Sequence, residues 1–141
     1  MANQIYPCLW FDNQAKEAAE FYCSIFPNSK ITFDSPTVVN WELNGQRLMG
    51  LNGGPIFPQI EAVSLVIECN DQAEINHYWY KLIANGGNES QCGWCKDKFG
   101  VSWQIIPYNM GELMSDPDRA QRVTAEYMKM KKLDIEKLKN A

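Results

Sequence analysis

Cys92 and Cys95, three residues apart, have the spacing in this chain that is most suggestive of chemistry. A Cys-x-x-Cys pair is typical of structural zinc sites and of thiol redox centres. A zinc site needs a second Cys or His pair, and the single histidine, His77, lies alone within a helical pattern. A redox pair stands at the start of a helix, whereas Lys96, Asp97 and a glycine turn follow here. We therefore expect a β-hairpin in which the two thiols are reduced, hold no metal and point to opposite faces of one strand. A turn or bulge at this point is the alternative that would allow both thiols to reach one ion.

Cys8 and Glu68 are the remaining candidates for a reactive group, and no Ser-His, Cys-His or paired-carboxylate pattern accompanies them. The cysteine count of 5 is odd, which favours reduced thiols over a secreted disulfide framework. The net charge of -4 offers no field to attract nucleic acid or anionic lipid. Apolar runs fall well short of the roughly 18 residues of a membrane span, and the N-terminus lacks the basic segment of a signal peptide. We expect a cytoplasmic protein that binds neither nucleic acid nor membranes.

The elements that must position these side chains occur twice. Residues 11–22 align with residues 69–80 at an offset of 58, and each segment follows a short apolar run typical of a strand. Apolar residues at i, i+3, i+4 and i+7 predict an amphipathic helix in both segments. The predicted apolar faces are Ala18, Phe21, Tyr22 and Ile25 in the first helix, and Ile75, Trp79, Leu82 and Ile83 in the second.

Capping residues set the expected ends of these helices. Asp12 or Asn13 is the predicted N-cap of the first helix. Asp71 with Glu74 resembles a capping box at the start of the second, and residues 85–87, Asn-Gly-Gly, predict its left-handed stop.

Strand pairs follow each helix. Asn44-Gly45 is a strong hairpin signal, and residues 98–100 form the corresponding turn in the second half. One more short strand is expected between Ser29 and Pro36, and another between Glu89 and Cys92. The pattern predicts an α+β fold built from two βαβββ modules.

The 141 residues are expected to form a single domain in four parts: a first module at 1–54, a linker at 55–58, a second module at 59–109 and a helical tail at 110–141. In the tail, Ser115 or Asp116 caps a helix with Pro117 at its first position, and Asp134 caps a last turn. The tail methionines suit packing over a cavity mouth or a partner chain, with ordinary core packing as the alternative. They are Met110, Met114, Met128 and Met130.

The run CGWCKDKFGVSWQIIP, together with WFDNQAKEAAEFYCSIFPNSKI, ELNGQRLMGLNGGP and MKMKKLDIEKL, resembles the PhnB-like family, often labelled 3-demethylubiquinone methyltransferase-like. That family belongs to the vicinal oxygen chelate superfamily of glyoxalases, dioxygenases and bleomycin-resistance proteins. The resemblance implies two curved sheets around a ligand cavity, a homodimer, and in the enzymes a divalent metal held by His, Glu or Gln. Cys95 departs from the family pattern, and the segment 32–37 is short, which predicts a clipped strand or loop there.

The resemblance places metal ligands on the first and fourth strands of each module, expected at Gln4–Trp10, Gln46–Asn52, Ala62–Glu68 and Val101–Ile106. The ligand positions then fall near Tyr6, near Met49 or Gly50, on Ser64 and on Gln104. Of these residues only Gln104 could coordinate a metal, and weakly, because hard or borderline divalent ions need several anionic or imidazole ligands. We therefore expect no metal cofactor.

If the ligand positions face inward, strand parity turns a set of aromatic, apolar and small polar side chains toward the cavity. The expected ligand-binding residues are Tyr6, Cys8, Trp10, Ser64, Ser102 and Gln104, with Val66 and Ile106 beside them. Packing into an ordinary core is the alternative for Tyr6 and Trp10. Trp103 is expected to face the helices, whereas the facing of Trp41 and Trp94 stays open.

Three functions are compatible with this sequence. The leading one is a metal-independent protein that binds an aromatic or amphipathic small molecule. The second is a metal-dependent or thiol-dependent enzyme of lyase, isomerase or dioxygenase type, with Cys8 or Glu68 near the pocket. The third is an assembly role through a dimer surface. Methyl transfer is disfavoured because the glycine-rich segment 52–54 runs into Pro55 and not into the helix that usually holds a nucleotide-like donor.

Overall fold

A computed structural model describes residues 3–141 as two compact units, one ending at Gln59 and one starting at Ile60. The first unit contains β1 (Cys8–Phe11), α1 (Ala15–Ile25), β2 (Ser29–Asp34), β3 (Val38–Leu43) and β4 (Gln46–Asn52). Its sheet has the order β1-β4-β3-β2, in which β1 runs parallel to β4 and the other neighbours are antiparallel.

The second unit repeats this arrangement with β5 (Ser64–Cys69), α2 (Gln72–Ile83), β6 (Asn88–Glu89), β7 (Trp94–Lys96) and β8 (Ser102–Pro107). The order β5-β8-β7-β6, with β5 parallel to β8, matches the order in the first sheet. The predicted α+β fold with two βαβββ modules is confirmed. Within residues 3–141, none of the helices has the length and apolar character needed to cross a membrane.

Each helix covers one face of its own sheet. In the first unit, Ala18, Tyr22 and Ile25 of α1 are buried, and the Tyr22 ring lies 5.9 Å from the ring of Trp41, which settles the facing of that tryptophan. In the second unit, the helix face and the sheet face that are buried are made of Ile75, Trp79, Leu82, Cys95, Trp103 and Ile105. Trp103 therefore faces the helix side, as predicted.

The predicted N-cap of α1 is wrong. Gln14 occupies the N-cap position without a side-chain hydrogen bond, and Asn13 has a φ of 62°, so neither Asp12 nor Asn13 caps the helix. The amide of Ala15 instead donates to Oδ1 of Asn52 at 2.9 Å, at the end of β4. The helix start is capped by a tertiary contact because the chain reaches it through a left-handed turn.

The predicted caps of α2 are confirmed. Asp71 accepts a hydrogen bond from the amide of Glu74 at 2.9 Å, and Glu74 accepts one from the amide of Asn70 at 3.1 Å. At the other end, Asn85 and Gly86 have φ values of 59° and 117°, the left-handed conformation expected after the helix.

The Asn44-Gly45 hairpin is confirmed, with φ values of 49° and 86°. The prediction that Cys92 and Cys95 lie on one strand is wrong. β7 begins at Trp94, and Cys92 lies before it in a turn with a φ of 60°. The amides of Cys92 and Gly93 donate to the carbonyls of Met130 and Lys131, both at 2.8 Å. These bonds to the tail hold the turn out of the strand. The two cysteines therefore do not share a strand, and both are free thiols.

Strand boundaries shift from those expected. β1 begins at Cys8, so Tyr6 precedes the strand. β5 and β8 start later than predicted, at Ser64 and Ser102, and each ends one residue beyond its predicted end. The extra strand expected after Ser29 is present as β2, with a register irregularity between Ile31 and Phe33. The strand expected between Glu89 and Cys92 is displaced to Asn88–Glu89.

The tail forms α3 (Met110–Leu113), α4 (Pro117–Tyr127) and α5 (Ile135–Lys139), and Asp116 and Asp134 cap the last two helices as predicted. Its buried residues are Leu113, Val123, Leu133 and Leu138, with Met110, Met114 and Met130 packed on them, whereas Met128 is exposed. The side chain of Gln72 joins α2 to this tail. Its Nε2 donates to the Leu133 carbonyl at 3.0 Å, and its Oε1 accepts from the Ile135 amide at 2.9 Å.

Candidate functional site

One face of the second sheet is covered by α2, and the opposite face, here called the open face, carries the predicted site residues of this unit. Register pairs Ser64 with Ser102 and Ser102 with Lys96, and it pairs Gln104 with Val66 and with Trp94. Because side chains alternate along strands, both rows lie on the same face. Ser64, Val66, Ser102, Gln104 and Ile106, which were expected to face a cavity, share one face of the sheet in this register.

Ser64 and Gln104 are joined by a hydrogen bond. Nε2 of Gln104 donates to Oγ of Ser64 at 2.9 Å, across neighbouring strands β5 and β8. Ser102 differs, since it is only 2% exposed and its Oγ has no hydrogen-bond partner among residues 3–141. A buried hydroxyl without a partner is costly, so Ser102 calls for a bonding group from outside the chain.

Ser102 opens into a pocket of about 330 Å³ beside the short edge strands β6 and β7. The residues that line it are Glu61, Asn88, Glu89, Ser90, Trp94, Cys95, Lys96 and Ser102. The volume is at the lower end of the range for small-molecule pockets. The pocket combines one large aromatic side chain with hydroxyl, amide and charged groups.

Lys96 and Glu61 form an ion pair at the pocket. The hydrogen bond from Lys96 and its positive charge lower the pKa of the Glu61 carboxyl from its ordinary value. Glu61 comes from the loop before β5 and its side chain is 63% exposed, whereas the Lys96 side chain is 35% exposed. Sequence patterns did not identify Glu61 or Lys96 as site residues, and they left Trp94 as a further candidate whose facing was open. The register of the β7–β8 hairpin places Lys96 and Trp94 on the open face.

In the first unit, Cys8 and Trp10 share the face of the sheet that does not contact α1, beside Met49 and Leu51. Cys8 is exposed, and desolvation raises the pKa of its thiol. Asn40 also lies on this face, paired with Met49, and its buried Oδ1 has no partner in the described part of the chain.

Tyr6 and Trp10 have local partners within the first unit. The guanidinium of Arg47 lies 4.1 Å from the Tyr6 ring centroid. The Trp10 Nε1 donates to the Gly54 carbonyl at 2.8 Å, and its ring contacts Phe57 edge-on at 4.9 Å. Gln59 donates to the Trp10 carbonyl. The segment after β4 therefore holds Trp10 in place.

The residues at the predicted metal-ligand positions do not fit a divalent ion. The second unit offers a hydroxyl and an amide that bond to each other, Ser64 and Gln104, and the first offers Met49 and Gly50 on β4. Across residues 3–141, no three His, Cys, Asp or Glu side chains come together in a way that could hold a metal ion. A divalent cation needs several anionic or imidazole donors, which this set lacks.

The fold and most of the sequence match known proteins. The family model described as 3-demethylubiquinone-9 3-methyltransferase matches residues 3–106. The PhnB protein from Bacillus cereus is 29% identical, with a TM-score of 0.66 over 74% of this chain and 99% of that one. None of the curated proteins matches the chain.

Two further structures show the same fold at lower identity. A glyoxalase-related enzyme from Fulvimarina pelagi is 17% identical, with a TM-score of 0.55 over 74% of this chain and 88% of that one. The fosfomycin resistance protein FosX from Listeria monocytogenes, solved with Mn(II) and sulfate, is 12% identical, with a TM-score of 0.62 over 82% of this chain and 97% of that one. Because the family match spans more than half of the sequence, the chain belongs to the 3-demethylubiquinone-9 3-methyltransferase family.

Proposed function

We propose that this protein binds an aromatic or amphipathic small molecule without using a metal ion. The observation that carries the proposal is the Ser64–Gln104 hydrogen bond of 2.9 Å, which occupies the second unit's expected metal-ligand positions with neutral groups. Next to it, the buried Ser102 hydroxyl lines a pocket and has no partner in the described chain. Neutral hydrogen-bonding groups beside an aromatic wall are typical of organic ligand sites.

The open face of the second sheet supports an amphipathic ligand. Val66 is exposed and Trp94 is half-buried, so apolar surface stands beside the polar row formed by Ser64 and Ser102. Ile106, on the same face, already packs against the core of the tail. A ligand that covers these apolar side chains would gain the free energy of burying their surface. Its polar groups would bond to the row of hydroxyls.

In the first unit, taken by itself, we propose that Tyr6, Cys8 and Trp10 are ligand contacts. Trp10 is only half-buried and is fixed by its bond to Gly54, so its ring is a rigid surface for stacking. Cys8 serves as a contact and not as a nucleophile, because its raised pKa keeps the thiol protonated near neutral pH.

Methyl transfer is not part of the proposal. Residues 52–54 do not lead into a helix that could hold a nucleotide-like methyl donor. The segment has a different role, since a Cβ added to Gly53 would come within 2.1 Å of the Trp10 ring and the Gly54 carbonyl accepts its indole proton. The glycines allow the indole to lie against the backbone.

We further propose that the protein works in the cytoplasm as a homodimer, with neither nucleic acid nor membranes as partners. The net charge of -4 supports the absence of nucleic acid and membrane partners, because it gives no attraction to phosphate groups. Sedimentation velocity at micromolar concentration tests the dimer, and a single monomer boundary would contradict it.

The test of binding begins with mass spectrometry of small molecules that co-purify with the protein. The compound found is then added back while the melting temperature is followed with and without EDTA. At 100 times its dissociation constant, a ligand stabilises the folded state by about 2.7 kcal/mol, which raises the melting temperature by several degrees. We expect the same shift in both conditions.

The variant Gln104→Ala should reduce this shift, because it removes the partner of Ser64 and a polar group of the open face. Gln121→Ala, an exposed position on α4, is the matched control and should leave the shift unchanged. A shift that appears only after Mn²⁺, Ni²⁺ or Zn²⁺ is added would refute metal-independent binding.

A further inference from the structure

The side chains that line the pocket beside β6 and β7 indicate which chemical class of ligand it would bind. Lys96 provides its only ammonium group among the lining residues, and Ser102 provides its buried hydroxyl. Register places these two side chains directly opposite each other on neighbouring strands, on the same face. Directly opposite residues on paired strands have Cβ atoms about 4.5–5.5 Å apart, close enough for one small group to contact both side chains.

The chain's own carboxylate marks the position of such a group. Glu61, from the loop that precedes β5, pairs with Lys96 at this pocket. Its side chain is mostly exposed, and an exposed ion pair of this kind contributes little to stability. A ligand carboxylate could therefore take its place at little cost.

Charge alone would also allow a cationic ligand, since Glu61 and Glu89 both line the pocket and outnumber Lys96. Both glutamates are exposed to water, however, whereas the less exposed polar groups are Lys96 and Ser102. Ammonium and hydroxyl donors that are partly or fully withdrawn from water favour an acceptor. The balance therefore favours an anionic group.

We propose that Lys96 and Ser102 bind the carboxylate of an aromatic or amphipathic acid, and that Glu61 occupies this position when the acid is absent. The aromatic part of the acid would lie along Trp94. This residue is two positions before Lys96 on the same strand, so the two side chains share one face of the sheet. This inference rests on the proposed binding function and names the ligand class.

Four probes that share one ring test the charge preference: benzoate, phenyl phosphate, benzyl alcohol and benzylamine. Each is titrated into the full ¹⁵N-labelled chain, and dissociation constants are read from the shifts of the Trp94 indole and of the Lys96 and Ser102 amides. We expect benzoate to bind most tightly, with the largest shifts in this pocket. A preference for phenyl phosphate would mean that phosphate and not carboxylate is the bound group, and it would overturn the carboxylate assignment.

Charge-removing variants separate the two sides of the ion pair. Lys96→Gln and Ser102→Ala should each weaken benzoate binding, the former by about 10-fold or more, since hydrogen bonds to charged groups are the strong ones. Glu61→Gln should tighten benzoate binding by up to about fivefold, because it removes the competing carboxylate. Lys81→Gln and Glu136→Gln, both at exposed helix positions, are the matched controls and should change nothing. Circular dichroism and melting temperature establish that each variant is folded.

Three further results would overturn the inference. Tighter binding of benzylamine, weakened by Glu61→Gln, would make the pocket a cation site. Benzoate shifts confined to residues 3–59 would leave small-molecule binding intact but remove this subsite. No binding by any probe would also remove the subsite, while the co-purification experiment still decides the broader function.

Discussion

Asp97 is a buried carboxylate at the turn between β7 and β8, and replacing it tests how this hairpin is held. The side chain is 2% exposed. Its Oδ1 accepts from the amides of Phe99 at 2.9 Å and Val101 at 3.1 Å, and its Oδ2 accepts from the Trp103 indole at 2.9 Å. Lys96, which lines the pocket, directly precedes Asp97, so the same turn that Asp97 organises also positions the proposed ligand site.

The cost of Asp97→Ala follows from the donors it leaves behind. Phe99 is half-buried, so water can replace the carboxylate there, whereas Val101 and Trp103 are buried. Two buried donors without acceptors cost about 1–3 kcal/mol each, and we expect a total loss of about 4 kcal/mol. Asp97→Asn keeps an oxygen for the backbone amides but turns an NH₂ group toward the Trp103 indole. It should lose about 1–3 kcal/mol.

Urea unfolding followed by circular dichroism measures these free energies. Asp118→Ala, on the exposed first turn of α4, is the control and should cost less than about 1 kcal/mol. A double-mutant cycle adds Trp103→Phe, which removes the indole donor, and the cost of Asp97→Asn should shrink in that background. A loss below about 1 kcal/mol for Asp97→Ala, or no coupling in the cycle, would refute this account of the turn.

Two other predictions concern backbone space and buried thiols. Gly53→Ala should destabilise the first unit by about 1–3 kcal/mol and shift tryptophan emission to the red, since the added Cβ would come within 2.1 Å of the Trp10 ring. Gly111→Ala, where a Cβ meets nothing within 4 Å, should not destabilise. Burial raises the pKa values of Cys69 and Cys95 to about 12, from an ordinary 9.0. At pH values between these two pKa values, the unfolded chain binds fewer protons than the folded one. The free energy of unfolding should therefore fall as the pH rises, by at most about 1.4 kcal/mol per pH unit per thiol. Urea midpoints at about pH 8 and about pH 10 measure this loss of stability, and replacing Cys69 or Cys95 by alanine should reduce it. If both alanine variants lose as much stability as the unmodified chain, burial of these thiols is not the cause.

Short-range chemistry explains which parts of the fold could be predicted. The Asn44-Gly45 turn and the Asp71 cap depend on residues within four positions of one another, and both are confirmed. The start of α1 depends on Asn52, 37 residues away from Ala15. No local pattern contains that contact, so the nearer Asp12 was the wrong choice.

The site divides in the same way. Strand parity identified the shared face of Ser64 and Gln104, because alternation is a local property of an extended chain. The face on which Trp94 lies could not be predicted from the sequence, since it depends on where β7 begins. The start of β7 is determined by the hydrogen bonds between the tail and the preceding turn. The Glu61–Lys96 pair joins a loop to a strand 35 positions later, which only the folded chain reveals.

Fold and chemistry have to be argued separately for this protein. FosX, solved with Mn(II), shares the fold at 12% identity, and at that identity the likeness says nothing about which side chains occupy the equivalent positions. In this chain the side-chain amide of Gln104 donates a hydrogen bond to Ser64. Both groups are neutral, so they cannot supply the negative charge that a divalent ion requires. The same bond leaves the Gln104 oxygen available as an acceptor on a face that already carries the Lys96 ammonium and the Ser102 hydroxyl. A site with hydrogen-bond donors and acceptors, but with no group of three or more His, Cys, Asp or Glu side chains within residues 3–141 placed to hold a metal ion, is suited to recognising an organic molecule through several directional bonds. Our proposal of binding in place of metal-assisted catalysis therefore rests on this donor set and not on the family name.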